Sequence, residues 1–426
     1  MIKLTSTNLL EFPGGCKSSD HSFAHFGELT LTSAFQPIFS LSHRRSIGYE
    51  ALLRARDGSG NIVSPLEVFE RSSSIGRWNN LERGVQLMHA SNFTRVATAH
   101  EWLFLNTRPD GFIVSDTYRH LVEDSLRHLH LPPERIVLEV LETPNGNLQR
   151  LIEGIASFRQ RGFLIALDDF GAGHSNIDRV WQLQPDIVKL DRRVIEQAAR
   201  FAHVARLLPR LISLLHEAGA LVLVEGVETL QEALLAMECD ADFAQGFFFA
   251  RPAPGGVDRT ESRMVIDNLW QSYRKHAEEK SNEQAVLLAA YATALQSAAD
   301  RSNEGAEISS TCKDLLLLDG AVRCFILNAQ GEQIGGDVSA NGSGASSPGP
   351  SLGLIDPRGA CWERRPYFKN AVEHPGVVQI TKPYLSINGA HFCVTLSIAA
   401  VIRGELKILC ADIDWQRAAQ RDSVAA

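Results

Sequence analysis

Leu164-Ile165-Ala166-Leu167-Asp168-Asp169 is a short apolar run that stops on two carboxylates. The same construction recurs between Gly48 and Gln245. Gly48-Tyr49 precedes Glu50, Leu103-Phe104-Leu105 precedes Asn106, and Ile136-Val137-Leu138 precedes Glu139. Ile187-Val188 leads into Lys189, Leu221-Val222-Leu223-Val224 into Glu225, and Phe243-Ala244 into Gln245. Carboxylates at the ends of successive buried strands are driven inward together, which is costly unless cations compensate them. The pattern predicts a metal-dependent enzyme.

Between these runs lie amphipathic helical segments at 66–88, 148–161 and 204–218. Strand–helix alternation with polar residues at strand ends predicts a parallel α/β sheet or barrel, and in a barrel the functional groups gather at the C-terminal strand ends. Pro252-Ala253-Pro254-Gly255-Gly256 closes the region. Ile266, Leu269, Trp270 and Tyr273, then Leu288, Tyr291, Ala292 and Leu295, have helical spacing across a polar middle. Beyond about residue 310, β-rich runs alternate with turn signals. Asn388-Gly389 suits a tight hairpin, and the Gly/Ser/Pro tract 337–351 reads as a flexible loop. The expected organisation is an N-terminal lead-in (1–27), an α/β domain (28–256), a linker helix (257–305), a smaller α+β domain with an antiparallel sheet (306–416) and a tail (417–426).

Composition narrows the function classes. The 426-residue chain is 44% hydrophobic with a formal net charge of -8, a poor balance for binding nucleic-acid polymers. Seven scattered cysteines without a C-x-x-C pair argue against a disulfide framework and a structural zinc site. No signal-peptide core and no run long enough to span a bilayer is found, so a soluble, cytoplasmic protein without membrane insertion is expected.

At Tyr49-Glu50-Ala51-Leu52-Leu53-Arg54 the chain resembles the EAL domain family of cyclic-di-GMP phosphodiesterases. The resemblance continues through Phe35-Gln36-Pro37-Ile38, Phe104-Leu105-Asn106, Leu138-Glu139-Val140-Leu141-Glu142 and Asp168-Asp169-Phe170-Gly171-Ala172-Gly173. It ends with Val188-Lys189-Leu190-Asp191, Val224-Glu225-Gly226-Val227-Glu228-Thr229 and Gln245-Gly246-Phe247. The resemblance implies a TIM-like (β/α) barrel that hydrolyses cyclic-di-GMP to linear pGpG with two Mg²⁺ or Mn²⁺ ions. Glu50, Asn106, Glu139 and Asp168 match ligands of one ion, and Asp169 and Glu225 ligands of the second. Lys189, Glu225 and Gln245 match residues that orient and deprotonate the attacking water. Gln36, Leu52, Arg54 and Asp191 match substrate contacts. Glu142, Phe170, Gly171 and Glu228 match the segment that couples the site to a homodimer. Asp191 and Glu228 equally suit structural hydrogen bonds.

The chain departs from the family at Ala172, His174 and Asn176, at Leu141 and at Ser73-Ser74. None of these removes an implied ligand, so a weakly catalytic receptor or an adaptor is the alternative rather than the leading expectation. Asp169-Phe170-Gly171 mimics a kinase motif without its companions. Ile334-Gly335-Gly336-Asp337-Val338 begins like a diguanylate cyclase motif and then diverges. The C-terminal domain resembles a PAS/Cache-like sensory domain through 362–368, Tyr384, 395–398 and 411–413. That resemblance implies an unidentified small ligand, with Trp362, Arg364, Tyr367 and Tyr384 as candidates to line its pocket.

Overall fold

In a computed structural model of the chain, the described residues are 22–73, 78–112, 124, 126–140, 148–173, 177–304, 306–339, 357–386, 392–415 and 417. They form two compact units, Met1–Lys275 and His276–Ala426. The helix Arg259–Asn303 crosses that division.

The first unit contains strands β1 (Ala24–Phe26), β2 (Leu29–Ser40), β3 (Arg45–Arg56), β4 (Ile62–Val63), β5 (Trp102–Thr107) and β6 (Ile136–Val140). It continues with β7 (Leu164–Phe170), β8 (Ile187–Leu190), β9 (Leu221–Val224) and β10 (Phe243–Ala244). Eight of them close a ring in the order β2-β10-β9-β8-β7-β6-β5-β3, and β3 returns to β2. Neighbours from β3 round to β10 are parallel, whereas β2 is antiparallel to both of its neighbours. The result is a TIM-like barrel with one reversed strand.

Parallel strands covered on both faces must be apolar on both, which is why these runs look continuous rather than alternating. Ile38, Phe104, Val137, Ala166, Ile187, Leu223 and Phe243 pack together inside the ring. Alternate residues such as Leu103, Leu138, Ile165, Val188 and Val222 pack outward in a second cluster that also contains the helix Leu148–Arg159. On β3 the inward position at the level of the first cluster is Gly48. A methyl there would stand 2.4 Å from the Trp102 carbonyl oxygen, so the close approach of β3 to β5 requires glycine.

The helix Trp78–Val96 lies on the β2–β3 hairpin through a buried polar cluster. Ser33 Oγ is 2.7 Å from His89 Nδ1 and accepts from Asn92 Nδ2 at 3.0 Å. Burial, helped by the Arg54 charge, pushes the His89 pKa down from 6.5 to about 3. Between those values the unfolded chain binds a proton that the folded one refuses, so stability is lost as pH falls. His89 should contribute a slope of up to about 1.4 kcal/mol per pH unit below pH 6. Urea unfolding at pH 6.5, 6 and 5 tests this, with His89→Gln expected to flatten the dependence. Equal slopes in both proteins would contradict it.

The second unit holds an antiparallel sheet of β11 (Ala321–Leu327), β12 (Gln333–Ser339), β13 (Gln379–Ile380), β14 (Tyr384–Leu385), β15 (Phe392–Ile402) and β16 (Glu405–Asp414). Their order is β12-β11-β16-β15-β13, with β14 also on β15. The β15–β16 hairpin turns on Arg403-Gly404, whose φ values of 56° and 80° suit a two-residue turn requiring left-handed backbone at both positions. The expected Asn388-Gly389 turn lies outside the described residues, as does most of the Gly/Ser/Pro tract. Residues 337–339 of that tract belong to β12 instead. Asp337 there accepts from Arg323 at 2.8 Å, so the Gly335-Gly336-Asp337 stretch is part of the sheet. Arg323 also donates to Asp412 at 2.8 Å, and Thr395 and Tyr384 extend the network. The Arg365 guanidinium lies 6.0 and 5.8 Å from the Trp362 and Tyr384 rings; Arg364, expected there, is exposed. Among the described residues no helix is long and apolar enough to cross a membrane.

Candidate active site

The side-chain period of a strand is two residues. Moving two residues from each apolar group inside the ring toward the C-terminal ends of the parallel strands therefore reaches the next inward position. On the parallel strands that step goes from Gly48, Phe104, Val137, Ala166, Ile187, Leu223 and Phe243 to Glu50, Asn106, Glu139, Asp168, Lys189, Glu225 and Gln245. On the reversed strand β2 the same direction runs backward in sequence, from Ile38 to Gln36, which pairs in register with Glu50. Every strand of the ring thus contributes one polar side chain to a single mouth.

Lys189 is the hub of this layer. Its Nζ lies 2.6 Å from Glu139, 2.7 Å from Glu225, 2.9 Å from Asp168 and 3.9 Å from Glu50. The lysine is 1% exposed and Glu139 is fully buried. Gln245 Nε2 donates to Glu50 Oε2 at 2.7 Å and to Gln36 Oε1 at 3.2 Å, and Asn106 Nδ2 donates to Glu50 Oε1 at 3.1 Å. Two amides and the lysine therefore fix the Glu50 carboxylate.

Asp169 reaches the mouth by a different route. In a regular strand it would point away from Asp168. Its backbone instead takes φ 57°, and the β7–β8 register shifts between Leu167 and Phe170. A left-handed non-glycine residue beside an active cleft is stored strain. The irregularity lets oxygens of Asp168, Asp169 and Glu225 lie within 4.8 Å of one another.

Electrostatics make this cluster unstable on its own. Burial raises the pKa of Glu139 well above the usual carboxylate range and that of Glu225 to about 8, against the lowering pull of Lys189. Burial also raises Asp169, reinforced by Asp168. For Lys189, burial works to lower the pKa, but Asp168, Glu139, Glu225 and Glu50 together outweigh it and hold the amine protonated. Five carboxylates facing one lysine leave four uncompensated negative charges when all are ionised. Glu139 Oε2 and Gln245 Oε1 are buried with no hydrogen-bond partner among the described residues. An all-oxygen donor set with that charge excess fits hard divalent cations, two of which match it.

The mouth cavity holds about 340 Å³. Asp191 borders it while capping the helix Arg192–Arg200, accepting from Arg193 N at 3.0 Å. Glu228 is held by both terminal nitrogens of Arg192, at 2.7 and 3.0 Å. Phe170 is buried, and Gly171 takes φ 101°, with Val194 2.3 Å from where a methyl would be. Glu142, and His174 to Asn176 of the altered loop, lie outside the described residues. β3 continues past the rim, so Glu50, Leu52 and Arg54 follow one another on one face. Leu52 and Arg54 line an adjoining cleft of about 360 Å³ with Phe69, Gln86 and Asn106.

Arg192 and Phe247 also border the mouth but carried no role in the sequence reading. Phe247 is 45% exposed and lies 4.2 Å from the Arg251 guanidinium. A large aromatic directly after Gln245-Gly246 was the available signal.

The EAL domain family model matches residues 26–252. Signaling protein YkoW of Bacillus subtilis is 28% identical over 229 residues, covering 52% of this chain and 28% of its own length. Cyclic di-GMP phosphodiesterase RocR of Pseudomonas aeruginosa is 32% identical over 134 residues, covering 30% of this chain and 33% of its own. The chain thus spans about a third of the length of these curated relatives. Among solved structures, the Bacillus subtilis YkuI protein, with an EAL domain, in complex with substrate c-di-GMP and calcium, superposes with a TM-score of 0.75. That likeness, at 18% identity, covers 90% of this chain and 96% of the other, so the fold is shared across both units.

Proposed function

Because the chain belongs to the EAL domain family, we propose that it hydrolyses cyclic-di-GMP to linear pGpG with the help of two divalent cations. The observation that carries this reading is the mouth layer, in which all eight ring strands place a polar group and five carboxylates surround one protonated lysine. The name of the Pseudomonas aeruginosa relative, a cyclic di-GMP phosphodiesterase, supports the same substrate.

Glu50, Asn106, Glu139 and Asp168 would hold one Mg²⁺ or Mn²⁺, and Asp169 and Glu225 the second. Bound there, the ions supply the positive charge that lets a nucleophile approach an anionic phosphodiester and that stabilises the oxygens of an in-line displacement. The protein's own groups do the rest. Lys189 fixes three carboxylates and keeps its proton, so it acts as a charge and a donor. Glu225, at the partly open side of the layer, is placed to take the proton of the attacking water. Gln245 orients Glu50, and Gln36 accepts from Gln245 beside it. Arg54 offers a fork suited to phosphate, and the apolar cleft beside Leu52 suits a flat base.

The reading extends to the second unit as a PAS/Cache-like module that senses a small ligand and modulates turnover. The antiparallel sheet and the Arg365 guanidinium near two aromatic rings support it. It also includes a homodimer, supported by Leu207 and Leu214, exposed on one face of the helix Ala202–Glu217. The test is chromatography of cyclic-di-GMP incubated with the purified chain and Mg²⁺ or Mn²⁺, with binding measured in parallel. Formation of pGpG that chelator stops is the expected result. Tight binding without product would replace the enzyme by a receptor.

A further inference from the structure

We propose a second ligand site at the opposite end of the barrel, where the parallel strands begin, built for a small phosphate monoester carrying a ring. A cavity of about 430 Å³ opens there, within the size range of small-ligand sites. Phe39, Ile47 and Val257 give it an apolar floor, and Arg44, Arg45, Arg259 and Arg263 stand around it.

The charges do not cancel. Glu101 lines the cavity and bonds Arg259 at 3.2 Å. Asp267 pairs with Arg44 and lies 3.8 Å from Arg263, so one carboxylate serves two guanidiniums. Arg45 has no acidic partner among the described residues, and Arg44 Nε is buried with no hydrogen-bond partner among them. Four guanidiniums against two carboxylates leave two positive charges. A phosphate monoester carries roughly 1.5 to 2 negative charges near neutral pH, and guanidinium forks match its oxygens. Arg45 and Arg263 stand exposed at the rim, whereas Arg44 is half-buried and its Nε is shut off from water.

The walls are fixed in place. Arg44 N donates to Ser40 O at 3.0 Å, and Trp270 Nε1 holds the same turn through Leu41 O at 2.8 Å. Thr98 N donates to Glu101 Oε2 at 2.7 Å, and Arg135 Nε donates to Glu101 O at 3.0 Å. At the start of the helix Arg259–Asn303, Asp258 Oδ1 already accepts from Thr260 N and Glu261 N. Recognition therefore falls to the arginines and the floor, and it stands independently of the chemistry at the mouth.

Calorimetric titration of the full chain in chelator tests the site, with AMP, inorganic phosphate and adenosine as probes. AMP is expected to bind with a Kd below about 1 mM, and phosphate or adenosine alone at least about tenfold more weakly, since each lacks half of the contacts. The double variant Arg45→Glu/Arg263→Glu changes exposed side chains and should weaken AMP at least about tenfold, whereas Glu50→Ala should leave it unchanged. Arg45→Lys/Arg263→Lys, which keeps the charge, should lose less. No AMP binding, or binding abolished by Glu50→Ala and kept by the charge reversal, would overturn the proposal. Equal binding of phosphate and AMP would overturn the ring-bearing ligand, and equal losses in the two double variants would overturn the charge assignment.

Discussion

Replacing Lys189 by methionine (Lys189→Met) is expected to lower the rate of cyclic-di-GMP hydrolysis by at least about a thousandfold, a loss of about 4 kcal/mol in transition-state stabilisation. Methionine fills nearly the same volume, so the change removes the charge and little else. The lysine touches three carboxylates at 2.6 to 2.9 Å with 1% of its surface exposed. Breaking a buried ion pair from one side typically costs 3–5 kcal/mol, because the remaining charges are left uncompensated. The metal-free variant should therefore unfold at lower urea concentration than the parent. Mg²⁺ should restore more stability to it than to the parent, since the ions then provide the missing positive charge. Steady-state kinetics and urea melts with chelator or Mg²⁺ measure both effects. A near-normal rate, or a stability loss that Mg²⁺ leaves untouched, would show that Lys189 is not the hub of the site.

Glu50 is the next most sensitive position. Its carboxylate accepts from Gln245 and Asn106 and stands 3.9 Å from Lys189. Glu50→Ala should reduce turnover by at least about a hundredfold, the scale of losing a positioned electrostatic group. Glu50→Gln separates the causes. A glutamine carbonyl can still accept a hydrogen bond from a neighbouring amide, so it preserves part of the local structure while removing the charge. Comparable losses in both variants are expected if Glu50 serves as a cation ligand. Recovery in Glu50→Gln would assign it to holding Gln245 and Asn106 instead. A test at saturating metal guards against a change in metal affinity being read as a change in rate.

Much of the mouth was legible because short buried strands have little freedom. When Ile136-Val137-Leu138 precedes Glu139, strand periodicity alone decides that Val137 and Glu139 share a face. The same logic could not assign Gln36, since nothing in the residues 29–40 reveals that their strand runs against its neighbours. It also fails at Asp168-Asp169, which a regular strand would send to opposite faces. The left-handed backbone at Asp169 is a tertiary outcome, imposed where β7 loses register with β8. Arg192 was hidden for another reason: as the first residue of a helix it resembles ordinary surface, and only its ion pair with Glu228 brings it to the rim. In the second unit, residues 337–339 read as the start of a loop because a Gly/Ser/Pro tract follows them, and the glycines just before them, Gly335-Gly336, weaken a strand. They instead pair with β11 at the end of an edge strand, β12, where such glycines are tolerated.

The central claim is that the charge excess of the mouth is matched by two divalent cations. Counting bound Mn²⁺ by electron paramagnetic resonance, in the full chain saturated with cyclic-di-GMP, tests it most directly. Two ions per chain in the parent protein and fewer than two in Asp169→Asn are predicted. A plateau at one ion or none in the parent, with the nucleotide bound, would contradict the account.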